Sequence, residues 1–153
     1  MKKLAIILVA AILTAAAPPG SFAAHDHGAM GHGDMMASGS VAHEEVIDGV
    51  KVTFEVLDIR AQMKGEIPKG LKETHHVMVS FTDVKSGKKI TDGEVKIKIQ
   101  GPDKTEQTKD LMGMQGHFGA DFDLAKKGKY GVMCKFLVKD GKARSARFWY
   151  TVQ

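Results

Sequence analysis

The chain has 153 residues, a length suited to one domain. Its 22 Lys and Arg stand against 18 Asp and Glu, a net charge of +4 scattered along the chain. With no basic cluster interleaved with aromatics, a nucleic-acid surface is excluded. The single cysteine, Cys134, rules out an intramolecular disulfide, so a core, alone or with a metal, must hold the fold.

Met1-Lys2-Lys3 supplies a positive start, and Leu4 to Ala17 is an apolar run of signal-peptide length. Pro18-Pro19-Gly20 breaks the run, and Ser21-Phe22-Ala23 offers small residues for cleavage. The run is shorter than the ~20 residues of a spanning helix, and no second such segment follows. Residues 1–23 are therefore read as a secretory signal, cleaved after Ala23 or Ala24. The expected product is periplasmic or secreted, with no membrane span.

From His25 to His43 the chain reads HDHGAMGHGDMMASGSVAH. The side chains with chemistry are His25, His27, Met30, His32, Met35, Met36 and His43, set among Gly, Ala, Ser and Asp. Such a composition cannot build a core, so residues 24–45 are expected to be disordered. Imidazole and thioether together suit copper, and thioether selects Cu(I). Read structurally instead, the stretch is a flexible linker. Imidazole also suits nickel and zinc, although the methionines argue against those ions.

From Val46 onward short alternating runs are separated by turn residues. Val50 to Val56 alternates with period two, as a half-buried strand does. Gln62 to Thr74 carries Gly65, Pro68 and Gly70 and reads as a loop. In the strand His75 to Thr82, His76, Met78 and Ser80 share one face and His75, Val77, Val79 and Phe81 the other. Val95 to Ile99, Phe118 to Phe122, Tyr130 to Val138 and Arg144 to Val152 are further strands, the last two joined through Asp140-Gly141. About six or seven strands without an amphipathic helix predict an all-β, immunoglobulin-like sandwich over residues 46–153. Cys134 shares its parity with Tyr130, Val132 and Phe136 and is read as a buried, inert thiol.

A second candidate site is Met112-Gly113-Met114-Gln115-Gly116-His117. If the segment is extended, Met112 and Met114 project to one side with His117 close by, a three-ligand set for Cu(I). The alternative is that one methionine plugs the end of the sandwich as gap-filling core. His75 and His76 point to opposite faces, so at most one is a ligand. His76, on the face of Met78, is the better choice. No GxSxG, HExxH, CxxC or phosphate-cradling loop occurs, and the chain is read as a non-enzyme.

The stretches HVMVSFTDVKSGKKI, EVKIKIQGPD, GHFGADFDLAKKGKYGVMCKF and RFWYTV resemble the YtkA-like/FixH-like group of exported β-sandwich domains. That resemblance implies an immunoglobulin-like fold and a role at the cell envelope, in some relatives near copper delivery or cytochrome oxidase assembly. The chain departs from the FixH type in having no retained membrane helix. More distantly it is similar to CopC-like copper carriers, a likeness that carries over to His25, Met112, Met114 and His117. The expectation is a copper-binding carrier or buffer, with an envelope or cytochrome oxidase assembly protein as a further partner. The alternative is an envelope interaction module in which the tail is incidental.

Overall fold

The computed structural model describes residues 39–64 and 68–153. The signal-like segment and His25, His27, Met30, His32, Met35 and Met36 lie outside the described residues. The elements in order are β1 (Ser40–Ile47), β2 (Val50–Asp58), α1 (Ile59–Gln62), β3 (His75–Asp83), β4 (Lys89–Ile90) and β5 (Gly93–Gln100). There follow β6 (Glu106–Asp110), β7 (Met112–Met114), β8 (His117–Phe122), β9 (Gly128–Val138) and β10 (Ala143–Val152). Among the described residues no helix is long and apolar enough to cross a membrane.

Period-two alternation places one face of each long strand in the interior. In β2 that face is Val50, Val52, Phe54 and Val56, and in β3 it is Val77, Val79 and Phe81, all buried. The larger sheet runs β1-β2-β3-β8-β7 with β4 added on β3, and the smaller runs β10-β9-β5-β6, every pair antiparallel. Val95, Ile97 and Ile99 of β5 and Val132, Cys134, Phe136 and Val138 of β9 face the larger sheet from the other side. The protein is thus an all-β sandwich with one apolar core. Cys134 is fully buried, and burial, with Glu45 adding to it, pushes its thiol up to about 12. A thiol held protonated in this way is a poor nucleophile and metal ligand.

Two expectations need correction. The sandwich begins at Ser40, six residues before Val46, so residues 40–45 belong to a strand and not to a disordered tail. The residues of β1 paired with the inward-facing Phe54, Val52 and Val50 are His43, Glu45 and Ile47. Two of the three are polar, which leaves no apolar alternation to read. β1 is held as an edge strand by its ladder to β2, with a bulge between Val41 and His43. Among the described residues the strands number ten, because β4, β6 and β7 are short edge pieces with few or no buried side chains. Such strands leave no hydrophobic trace in a sequence.

Candidate metal centre

The cluster is set by strand register across the outer face of the larger sheet. Met78 on β3 pairs with Gly119 on β8, Gly119 pairs with Met112 on β7, and Glu55 on β2 stands on the other side of Met78. Glu55, Met78, Gly119 and Met112 therefore form one row. On one side of it lies the pair His76 and Asp121, and on the other the pair His117 and Met114. All of these point away from the core, since the alternate residues Val77, Val79 and Phe118 are buried. Side chains in one row are ~5 Å apart at Cβ, and those in neighbouring rows ~7 Å.

Local chemistry explains the hairpin that presents Met114 and His117. Gln115 (φ 30°) and Gly116 (φ 91°) both take positive φ between β7 and β8. This is the two-residue loop geometry that matches strand twist, and glycine adopts it without strain. It sets Met114 directly opposite His117. Met112 is 72% exposed and Met114 37%, so neither is gap-filling core.

His76 is oriented by two neighbours. Its Nδ1 lies 2.5 Å from Asp121 Oδ1, and an Nδ1–H donating to that carboxylate leaves the lone pair on Nε2. Nε2 in turn lies over Gly119: a Cβ there would stand 2.6 Å from Nε2. Glycine thus forms a floor between Met78 and Met112, with an imidazole nitrogen above it. His117 is half-buried, and burial holds its pKa below the ordinary imidazole value. The neighbouring His76 acts in the same direction, Glu55 opposes it, and Lys89 lowers it again. His117 can therefore offer a nitrogen lone pair near neutral pH.

His75 has a different role. It is buried on the core side, 2.8 Å from the Thr74 hydroxyl, which also accepts from the Leu124 amide. The Thr74 O–H thus donates to His75 Nδ1, tying β3 to the start of the loop after β8. His43, at the end of the His/Met-rich stretch, stacks on Phe148 at 4.9 Å and faces Glu45. Met133 lies on the outer face of the smaller sheet, away from the cluster.

The structure therefore brings together His76, Met112, Met114 and His117, and adds Met78, Gly119, Asp121 and Glu55. Met78 was visible as a same-face neighbour of His76, whereas Gly119 and Asp121 had no local signal. Among the described residues no three His, Cys, Asp or Glu side chains converge as a metal site.

Fold and cluster define a class: a two-sheet, all-β sandwich displaying thioether and imidazole groups on the outer face of one sheet. No protein-family model matches the chain, and no curated protein matches it in sequence. Solved structures share the fold. FetP of uropathogenic Escherichia coli strain F11 aligns with a TM-score of 0.60 at 14% identity, covering 76% of this chain and 97% of FetP. A copper-bound variant of the same FetP aligns at 0.59 and 13%, covering 74% and 96%. A DUF4426 family protein from Pseudomonas aeruginosa PAO1 aligns at 0.56 and 12%, covering 72% and 96%. At these identities the likeness is one of fold, and the copper is a property of the FetP variant.

Proposed function

We propose that the chain is an exported copper-binding protein, a carrier or buffer rather than an enzyme, that holds Cu(I) on the outer face of the larger sheet. The ligands are drawn from His76, Met78, Met112, Met114 and His117. The His/Met-rich stretch, with His25, His27, Met30, His32, Met35 and Met36, captures further Cu(I) or Cu(II) ions. The observation that carries this reading is the register that lines up Met78, Gly119 and Met112 with His76 on one side and His117 on the other. The sandwich fold shared with a copper-bound FetP variant is compatible with that reading.

Calorimetric titration with Cu(I) under reducing conditions tests the proposal. One ion should bind tightly after deletion of residues 24–36, and that binding should vanish in Met112→Ala/Met114→Ala. Binding no stronger than that of a plain peptide would remove the reading.

A second reading rests on the opposite face. Trp149 is 64% exposed on the smaller sheet, packed over Gly131 with Lys129 Nζ 5.0 Å from its ring centroid. It borders a groove of about 250 Å³ that includes Met133 and Arg147. In this reading the sandwich docks on an envelope or cytochrome oxidase assembly protein. Trp149→Ala would then abolish capture of such a partner while Cu(I) binding is unchanged.

A further inference from the structure

The outer face of the smaller sheet has a cationic half and a mixed half. By register, Thr151 and Lys129 share one row, Trp149 and Gly131 the next, Arg147 and Met133 the third, and Ser145 and Lys135 the fourth. Strand β5 extends the last three rows with Gln100, Lys98 and Lys96, and β6 adds Glu106, Thr108 and Asp110. The carboxylates of this face, Glu94, Glu106 and Asp110, all stand on β5 and β6. There Lys98 pairs with Glu106 at 2.8 Å and Lys96 with Asp110 at 3.2 Å. On β9 and β10 the face carries Lys129, Lys135 and Arg147, all exposed. Among the described residues none of these three joins an ion pair.

Trp149 stands inside this cationic half. Its ring lies over Gly131, where a Cβ would stand 3.1 Å from Cζ3, and Lys129 Nζ is 5.0 Å from the ring centroid. The groove beside it is lined by Gly131, Met133, Arg147, Lys98 and Gln100. Side chains on one face of a strand recur every ~7 Å. Down β9 and β10 the rows therefore read cation, aromatic beside a groove, cation, cation. An extended chain laid along them presents its own side chains at the same interval. Carboxylates at its first, fifth and seventh positions would meet Lys129, Arg147 and Lys135. An apolar side chain at its third position would meet Trp149 and the groove.

We infer that this half of the face is the docking site of an extended acidic segment of a partner protein, read in that order. The inference rests on the docking reading of the Trp149 face, to which it adds the partner's chemistry, and takes nothing from the copper reading. A membrane surface is the poorer fit. Trp149 is laid against the sheet and tied to Lys129, and a plane of anionic lipid would meet Glu94, Glu106 and Asp110 along with the cations. A linear segment on β9 and β10 avoids all three. The thioether and imidazole cluster lies on the outer face of the other sheet, so a docked partner leaves it open.

Trp149 is the only tryptophan in the chain, so its emission reports on this face alone. The mature full-length chain is titrated with a synthetic peptide, Glu-Ser-Leu-Ser-Glu-Ser-Glu, blocked at both ends, and with its counterpart carrying Gln for every Glu. The acidic peptide should shift the emission saturably and bind at least about 10-fold more tightly than the Gln peptide, a difference that ~0.5 M salt removes. Arg147→Glu/Lys135→Glu should lose the acidic peptide. Arg147→Lys/Lys135→Arg, which keeps both charges, should bind it within about 2-fold of the parent. If the two peptides bind alike, the inference is wrong and the docking reading stands. If neither moves the emission the inference is also wrong, and the docking reading falls with it only when Trp149→Ala leaves capture of the partner intact. A shift produced by phosphatidylglycerol vesicles and not by the acidic peptide would make the face a lipid contact and overturn the inference.

Discussion

The ring of His76 is held at both ends. Asp121 accepts a hydrogen bond from Nδ1–H, and the bare backbone of Gly119 leaves Nε2 its place. Two substitutions follow from that geometry. Asp121→Asn removes the carboxylate that sets the tautomer and should weaken Cu(I) binding about 10-fold in a competition titration, with little change in melting temperature. Gly119→Ala places a methyl 2.6 Å from Nε2, so the imidazole must swing away and the tight site is lost. Circular dichroism should report the sandwich intact, because the Cβ points out of the core.

Titration belongs to the same scale. Burial holds both His75 and His117 below the ordinary imidazole value, about 6.5. For His75, Asp58 opposes that shift and Arg60 adds to it. Between each lowered folded value and 6.5 the unfolded chain binds more protons than the folded one, so stability rises with pH across that window. It is fully present above 6.5 and is lost as acid reaches the folded values. Melting temperature should fall as the solution is acidified below that point, and less steeply in His75→Gln/His117→Gln. The metal follows the same sign, since a protonated His117 has no lone pair to give.

Among the elements, β1 carries the least expected chemistry. It turns His43 and Glu45 inward at the edge where β1 meets β10, with Nε2 and Oε1 3.3 Å apart. Both atoms are shielded from solvent without a hydrogen-bond partner among the described residues. Polar groups turned inward on an edge strand cost stability and discourage edge-to-edge pairing. His43→Phe/Glu45→Val should therefore raise stability by about 1 kcal/mol in thermal or urea unfolding, because Phe keeps the stacking on Phe148 and both shielded polar atoms without a hydrogen bond disappear. Light scattering should show the variant associating more readily than the parent. A variant that is less stable would mean that the His43–Glu45 pair contributes more than it costs.

For the molecule as a whole, the cluster joins three strands of one sheet, β3, β8 and β7. An ion bound there is bound by the folded state alone, so loading should stabilise the sandwich by mass action, ~2.7 kcal/mol at a free concentration 100 times Kd. Cu(I) should raise the melting temperature of the tail-deleted chain and leave Met112→Ala/Met114→Ala unmoved. Apo melting temperatures of the two should agree, since both methionines are exposed.

Much of this was legible in the residues. Period two is a local property, so it showed that Cys134 is buried, that His75 and His76 diverge, and that Met112 and Met114 share a side. Edge strands were illegible because they bury almost nothing, as in Glu106–Asp110, or bury polar groups, as in β1. Adjacent on β10, Trp149 and Tyr150 take opposite faces, and which one joins the core depends on the opposing sheet. Tyr150 packs against it and Trp149 does not.

By itself the sequence determined which sulfur and imidazole groups are present, and the side of its own strand on which each one stands. Only the tertiary structure decided that Met78 and Met112, far apart in the chain, flank one glycine with an imidazole above it. The physical reason is that strand order and register between distant segments come from packing the buried residues against one another. The exposed side chains that share the resulting face take no part in that choice.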